Sequence, residues 1–157
     1  MYARQNDASR GEVCTSKGVW ASGSFKDVYK GRYTEGSRAG KRSVSKFMRN
    51  ADPYLAEVFN MELEVVDKAQ ELIDKFNNAG FVNKPIYLNK PQVWCGTDGA
   101  PGSGWDGKRM LVEPMISNYE KFNSNTGWVP TGGDTWADVM QALSHYTYHV
   151  SGARFCN

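Results

Sequence analysis

The chain has 157 residues, 40% of them apolar and 23% charged, which is the composition of one globular domain and excludes a disordered segment. Its formal net charge of +2, from 19 basic and 17 acidic residues interspersed along the chain, argues against a nucleic-acid or membrane-surface partner. No apolar run approaches the ~20 residues of a membrane span, and the polar start MYARQNDASRG does not read as a signal peptide.

Residues from about Val13 to Met48 alternate short apolar runs with Gly-rich turns, as an antiparallel sheet would. GVWASGSFKDVYKGRY predicts two strands joined by a turn at Ser22 to Ser24, and KRSVSKFM a third. A long helix follows. Asp52 can cap it, Pro53 suits its first position and Gly80 can end it. Leu55, Val58, Phe59, Val65, Val66, Ala69, Leu72, Ile73 and Phe76 fall at helical spacing and form one apolar stripe. Two more strands are expected, one running from PIYLN to QVWC and one in RMLVEPM, split by a loop from Gly96 to Gly107. The polar turn EKFNSNTGW then leads into a last helix, WADVMQALSHYTY. Asp134 or Thr135 can cap that helix, and Asp138 completes a loose capping box with Thr135. Sheet, long helix, sheet and helix together predict an α+β fold.

Glu62 is the most informative residue for chemistry. At about 3.6 residues per turn it lies inside the apolar stripe, where a carboxylate is costly unless a cation faces it or the helix bends it to the edge. Lys46 offers such a cation. In SVSKF, Val44 and Lys46 share one face of a strand and Ser45 and Phe47 the other. A lysine beside a valine on a strand next to a Gly-rich hairpin, fixed by a helix glutamate, is how ordinary protein kinases hold ATP phosphates. Alone, a strand lysine more often marks a solvated edge. In the hairpin SGSFKDVYKG, Gly23 lets a backbone approach a phosphate closely, and Lys26 and Lys30 add positive charge.

Other motifs carry less. GSGWDGKR, Gly102 to Arg109, departs from a P-loop: Arg109 replaces the Mg²⁺-binding Ser or Thr, and an apolar strand follows in place of a helix. It reads as a mobile surface loop. His145 and His149 share a helix face, but two ligands do not make a zinc site. Cys14, Cys95 and Cys156 are odd in number, far apart and without C-x-x-C spacing, which suggests reduced thiols in a cytoplasmic protein.

From about Val19 to the end, the chain resembles the alpha-kinase family of atypical protein serine/threonine kinases. GSFKDVY is similar to the family's phosphate loop, SVSKF to its lysine strand, Glu62 to AQELIDKFN to its long helix, and LVEPM to its hinge. The most specific part is EKFNSNTGW followed by ALSHYTY, similar to the family's N-[SN]-N-x-G turn and its F-S-H-x-T-Y helix. The resemblance implies an upper lobe over about 13–112, a hinge at 113–116 and the start of a lower lobe over 117–157. It implies a kinase using MgATP, with protein substrate unknown. Gly23 and Lys26 would lie at the phosphates, Lys26 where the family usually has arginine. Lys46 would contact the phosphates, Glu62 would hold Lys46, and the backbone of Glu113 and Met115 would bond the adenine edge. His145 matches one ligand of the family's structural zinc, His149 matches no family role, and Leu143 replaces a phenylalanine. Family members continue into a D-L-Q-G strand that binds Mg²⁺, a catalytic aspartate and the other zinc ligands. None of these occurs in the 157 residues, so the resemblance puts the metal-binding and catalytic acidic residues beyond Asn157 and assigns no catalytic residue before it. That implies a truncated chain or gene model, or a degenerate kinase that binds nucleotide or partners without turnover. Zinc is expected only in a complete family domain.

Overall fold

The structure is a computed structural model, and it describes residues 10–97, 104–122, 128 and 135–152. The strands are β1 (Gly11–Val13), β2 (Ala21–Ser22), β3 (Lys26–Tyr33), β4 (Arg42–Met48), β5 (Gln92–Cys95) and β6 (Arg109–Pro114); the helices are α1 (Ala56–Ala79) and α2 (Thr135–Val150). The α+β expectation holds. The chain divides into two compact units, one of residues 1–67 and 89–115, the other of residues 68–88 and 116–157.

The first unit carries the antiparallel sheet, in the order β1-β3-β4-β6-β5, with β2 also paired to β3. Alternation sorts its side chains onto two faces. One face holds the aromatic core of Tyr29, Tyr33, Phe47, Trp94, Trp105, Met110 and Val112. Phe47 and Trp105 stack edge-on at 4.6 Å, and Tyr29 meets both rings at 5.4 Å. The loop predicted to lie at the surface therefore contributes a core anchor, Trp105; its residues 98–103 lie outside the described residues. Gly31 is required where β1 crosses β3, since a Cβ there would sit 2.3 Å from the Glu12 carbonyl oxygen.

The other face carries Val28, Val44, Lys46, Leu111 and Glu113, with Val44 and Leu111 buried. A cavity of about 710 Å³ opens on the aromatic face instead, between Arg10–Val13, Thr15, Ser43, Ser45 and Val93–Cys95. It contains none of the predicted site residues.

Three local expectations are corrected. Helix α1 starts at Ala56, not at Pro53, because Asp52 serves a preceding turn: its carboxylate accepts the Tyr54 N–H at 2.9 Å. The Pro53 carbonyl accepts the Arg109 N–H at 2.9 Å, and the Tyr54 carbonyl accepts the Arg109 guanidinium, so both are bound to β6. Second, PIYLN is not strand; β5 begins at Gln92. The Asn77 amide there supplies both bonds of Ile86, donating to its carbonyl at 2.8 Å and accepting its N–H at 2.9 Å. Third, the apolar stripe is narrower than expected: Phe59, Leu72, Ile73 and Phe76 are buried, whereas Leu55 and Val65 are at least half-exposed.

In the second unit, Ile73, Phe76, Ile86, Val139 and Leu143 form a core with Tyr146 packed on it. Helix α1 ends at Gly80 as expected, with φ +67°. On its exposed side, hydrogen bonds first from Lys68 and then from Lys75 lower the Glu71 carboxyl to about 2. Helix α2 begins at Thr135, while Asp134 lies outside the described residues, as do residues 123–127 of the asparagine turn. Residues 153–157 lie outside them too, Cys156 and Asn157 among them.

Candidate nucleotide site

The register of three strands sets the site. Lys46 pairs with Val28 of β3 and Leu111 of β6, and Val44 pairs with Glu113. Lys46 and Glu113 are thus diagonal neighbours on one face, a spacing that long side chains bridge. Their ammonium and carboxylate form an ion pair, with the Glu113 side chain only 12% exposed. Lys26, opposite Met48, is the diagonal neighbour of Lys46 on the other side. Its ammonium bonds the Glu62 carboxylate at 2.5 Å, both side chains being about one-third exposed.

The sequence paired Glu62 with Lys46; the structure pairs Glu62 with Lys26 and Lys46 with Glu113. The reason is non-local. Register places Glu113 diagonal to Lys46, and the cation that pairs with Glu62 is Lys26 at the start of β3. Glu62 on an apolar stripe signals a facing cation, and the sequence offers Lys26 as a hairpin charge. Only the strand alignment joins them.

The backbone assignments also change. The Met115 N–H donates to the Arg42 carbonyl at 3.1 Å. Narrow and wide pairs alternate along an antiparallel ladder, so Glu113 and Val44 are then a hydrogen-bonded pair. Of the Glu113 and Met115 backbone expected at an adenine edge, the Met115 N–H is used within the sheet, and the Glu113 carboxylate pairs with Lys46.

At the hairpin, the Gly23 N–H donates to the Lys26 carbonyl at 2.9 Å. A Cβ on Gly23 would meet nothing closer than the Lys26 oxygen at 3.9 Å, and its φ is not left-handed. Folding alone does not demand glycine there, so the space above it remains open to a ligand.

His145 and His149 are both exposed on α2. Among the described residues no group of three or more His, Cys, Asp or Glu could hold a metal ion. The described donors therefore do not make up a four-ligand structural zinc site. Asn157, the position after which the metal-binding and catalytic acidic residues are expected, falls outside the described residues. Among the described residues, too, no helix is long and apolar enough to cross a membrane, and Cys14 and Cys95 are free thiols.

The Lys26–Glu62 pair sets a measurable expectation. Because both groups remain partly solvated, a double-mutant cycle with Lys26→Met and Glu62→Gln should give a coupling of about 0.5–1 kcal/mol in urea unfolding. A coupling found instead between Lys46 and Glu62 would restore the pairing read from sequence.

Residues 21–156 match the alpha-kinase family. The chain belongs to that family. Its domain is accordingly a protein kinase domain, present in part. No curated protein matches the sequence. Among solved structures, the alpha-kinase domain of myosin heavy chain kinase A in complex with AMP is similar at 19% identity and a TM-score of 0.70, over 92% of this chain and 68% of that one. The C-terminally truncated alpha-kinase domain of myosin heavy chain kinase gives 19% identity and a TM-score of 0.69, over the same shares. The myosin-II heavy chain kinase A domain in complex with AMP-PNP gives 19% and 0.68, over 92% of this chain and 67% of that one. At such identities these alpha-kinase structures establish the shared fold.

Proposed function

We propose that this alpha-kinase chain binds ATP on the face of the sheet that carries Lys26 and Lys46, and that the complete domain transfers its γ-phosphate to a protein serine or threonine. One observation carries the reading: two lysines stand as diagonal neighbours beside a glycine-bearing hairpin, each held by its own carboxylate. Such a quartet is neutral without ligand. A polyphosphate brings negative charge to which both ammoniums can turn, in competition with Glu62 and Glu113. Gly23 leaves room for the phosphates at the hairpin. Related alpha-kinase structures contain AMP, ATP or AMP-PNP, which supports the assignment. Within this proposal residues 13–112 form the upper lobe, 113–116 the hinge and 117–157 the start of the lower lobe. The metal-binding and catalytic acidic residues follow Asn157 in the complete domain. The setting is cytoplasmic, with magnesium accompanying the nucleotide and zinc belonging to the complete domain.

A second reading is a pseudokinase that binds nucleotide on the same face without turnover. Titration calorimetry with ATP tests the shared claim. Saturable binding is expected, and its absence at millimolar nucleotide overturns both readings. Phosphate transfer from ATP to a basic protein, measured on the same preparation, separates the kinase from the pseudokinase.

A further inference from the structure

Arg49 has no part in the quartet, yet it touches both arms of the glycine hairpin. It follows β4 directly, three residues beyond Lys46. Its backbone N–H donates to the Phe25 carbonyl at 2.9 Å, extending the β3–β4 ladder to the hairpin tip. Its guanidinium Nη1 donates to the Gly23 carbonyl at 3.0 Å. Its Nε lies 3.7 Å from Asp27 Oδ1, and the Ser22 hydroxyl donates to that same carboxylate oxygen. Arg49 therefore ties the first arm, the tip and the second arm of the hairpin to the strand that bears Lys46.

The faces matter. Asp27 pairs with Ser22 on one side and Phe47 on the other, which puts its side chain on the face opposite Lys26 and Lys46. The Gly23 carbonyl is thus bound by a group from the Asp27 side. A carbonyl oxygen turned the other way would repel an incoming phosphate; held by Arg49, it does not. A guanidinium suits this task because its planar fork can serve a carbonyl and a carboxylate together.

We propose that Arg49 is a positioning residue for the phosphates of the nucleotide, acting by pre-organising the Gly23 turn against the lysine strand. The inference rests on the ATP-binding reading above. Pre-organised loops gain affinity by lowering the ordering cost on binding, so the effect should fall on ligands with phosphates and spare those without.

The test compares ATP with adenosine in titration calorimetry, using wild type, Arg49→Ala and Arg49→Lys. Arg49→Ala should weaken ATP about tenfold while adenosine changes less than about twofold, and Arg49→Lys should fall between, because lysine reaches one partner but not both. Equal losses for the two ligands, or no loss for ATP, overturn the proposal. If Arg49→Ala does not fold, Asp27→Asn removes only the charged partner and should weaken ATP alone by about threefold; an equal loss for adenosine, or none for ATP, again refutes the idea. Hydrogen exchange at Gly23, whose N–H bonds the Lys26 carbonyl, keeps the two claims apart. Faster exchange in Arg49→Ala with no ATP binding by wild type means that the latch exists and the nucleotide reading fails. Unchanged exchange means that the latch itself does not.

Discussion

Replacing Lys46 with methionine should reduce ATP affinity by about a hundredfold, since a charge-assisted contact to phosphate contributes roughly 1.5–3 kcal/mol. The same change strands Glu113, whose carboxylate is mostly buried and loses its cation. Stability should fall as well, by about 1–3 kcal/mol, the usual cost of leaving such a group unsatisfied. The two effects separate in the double variant. Lys46→Met/Glu113→Gln removes both charges and should recover most of the lost stability without recovering ATP binding. Glu113→Gln alone leaves Lys46 with one competitor fewer, so its ATP affinity should be no weaker than wild type. Calorimetric titration combined with urea unfolding checks all three. Normal ATP binding by Lys46→Met would remove Lys46 from the site, and the quartet would then be a purely structural set of ion pairs.

The second large effect concerns the helical unit. Phe76 is 1% exposed and lies 5.5 Å from the Tyr146 ring and 6.1 Å from Phe81. Phe76→Ala should cost about 3–5 kcal/mol through lost burial and the cavity left behind. That corresponds to a fall of roughly 10 °C in melting temperature for a chain of this length. Leu55→Ala, just before the same helix, is the control. Its side chain is half-exposed, and its loss should stay within about 0.5 kcal/mol. Comparable losses for the two variants in thermal unfolding would mean that the stripe is buried all along, as its spacing alone suggests.

Much of this molecule is legible without coordinates, because its signals are local. Alternation in SVSKF correctly separates Val44 and Lys46 from Ser45 and Phe47. Periodicity locates the long helix, and Gly80 marks its end because left-handed backbone favours glycine. The kinase motifs identify the family. Glu62 announces, by chemistry alone, that a cation must face it.

The partner of that carboxylate is a different kind of fact. The sequence offers both Lys26 and Lys46 as cations, and strand register sets Glu113 diagonal to Lys46 while Lys26 pairs with the helix glutamate. Register belongs to pairs of distant segments, and neither segment encodes it by itself. The same holds for Pro85–Asn89, whose apolar pattern suits a strand until the Asn77 amide, nine residues before Ile86, takes both of that residue's backbone bonds. It holds for Trp105, which is a loop residue in sequence and a core residue once the sheet brings Phe47 and Tyr29 beneath it. Residue type and spacing determined which groups need partners, because desolvation and backbone geometry act within a few residues. Tertiary structure decided which partners they found, because contact energies depend on distances that only the folded chain sets.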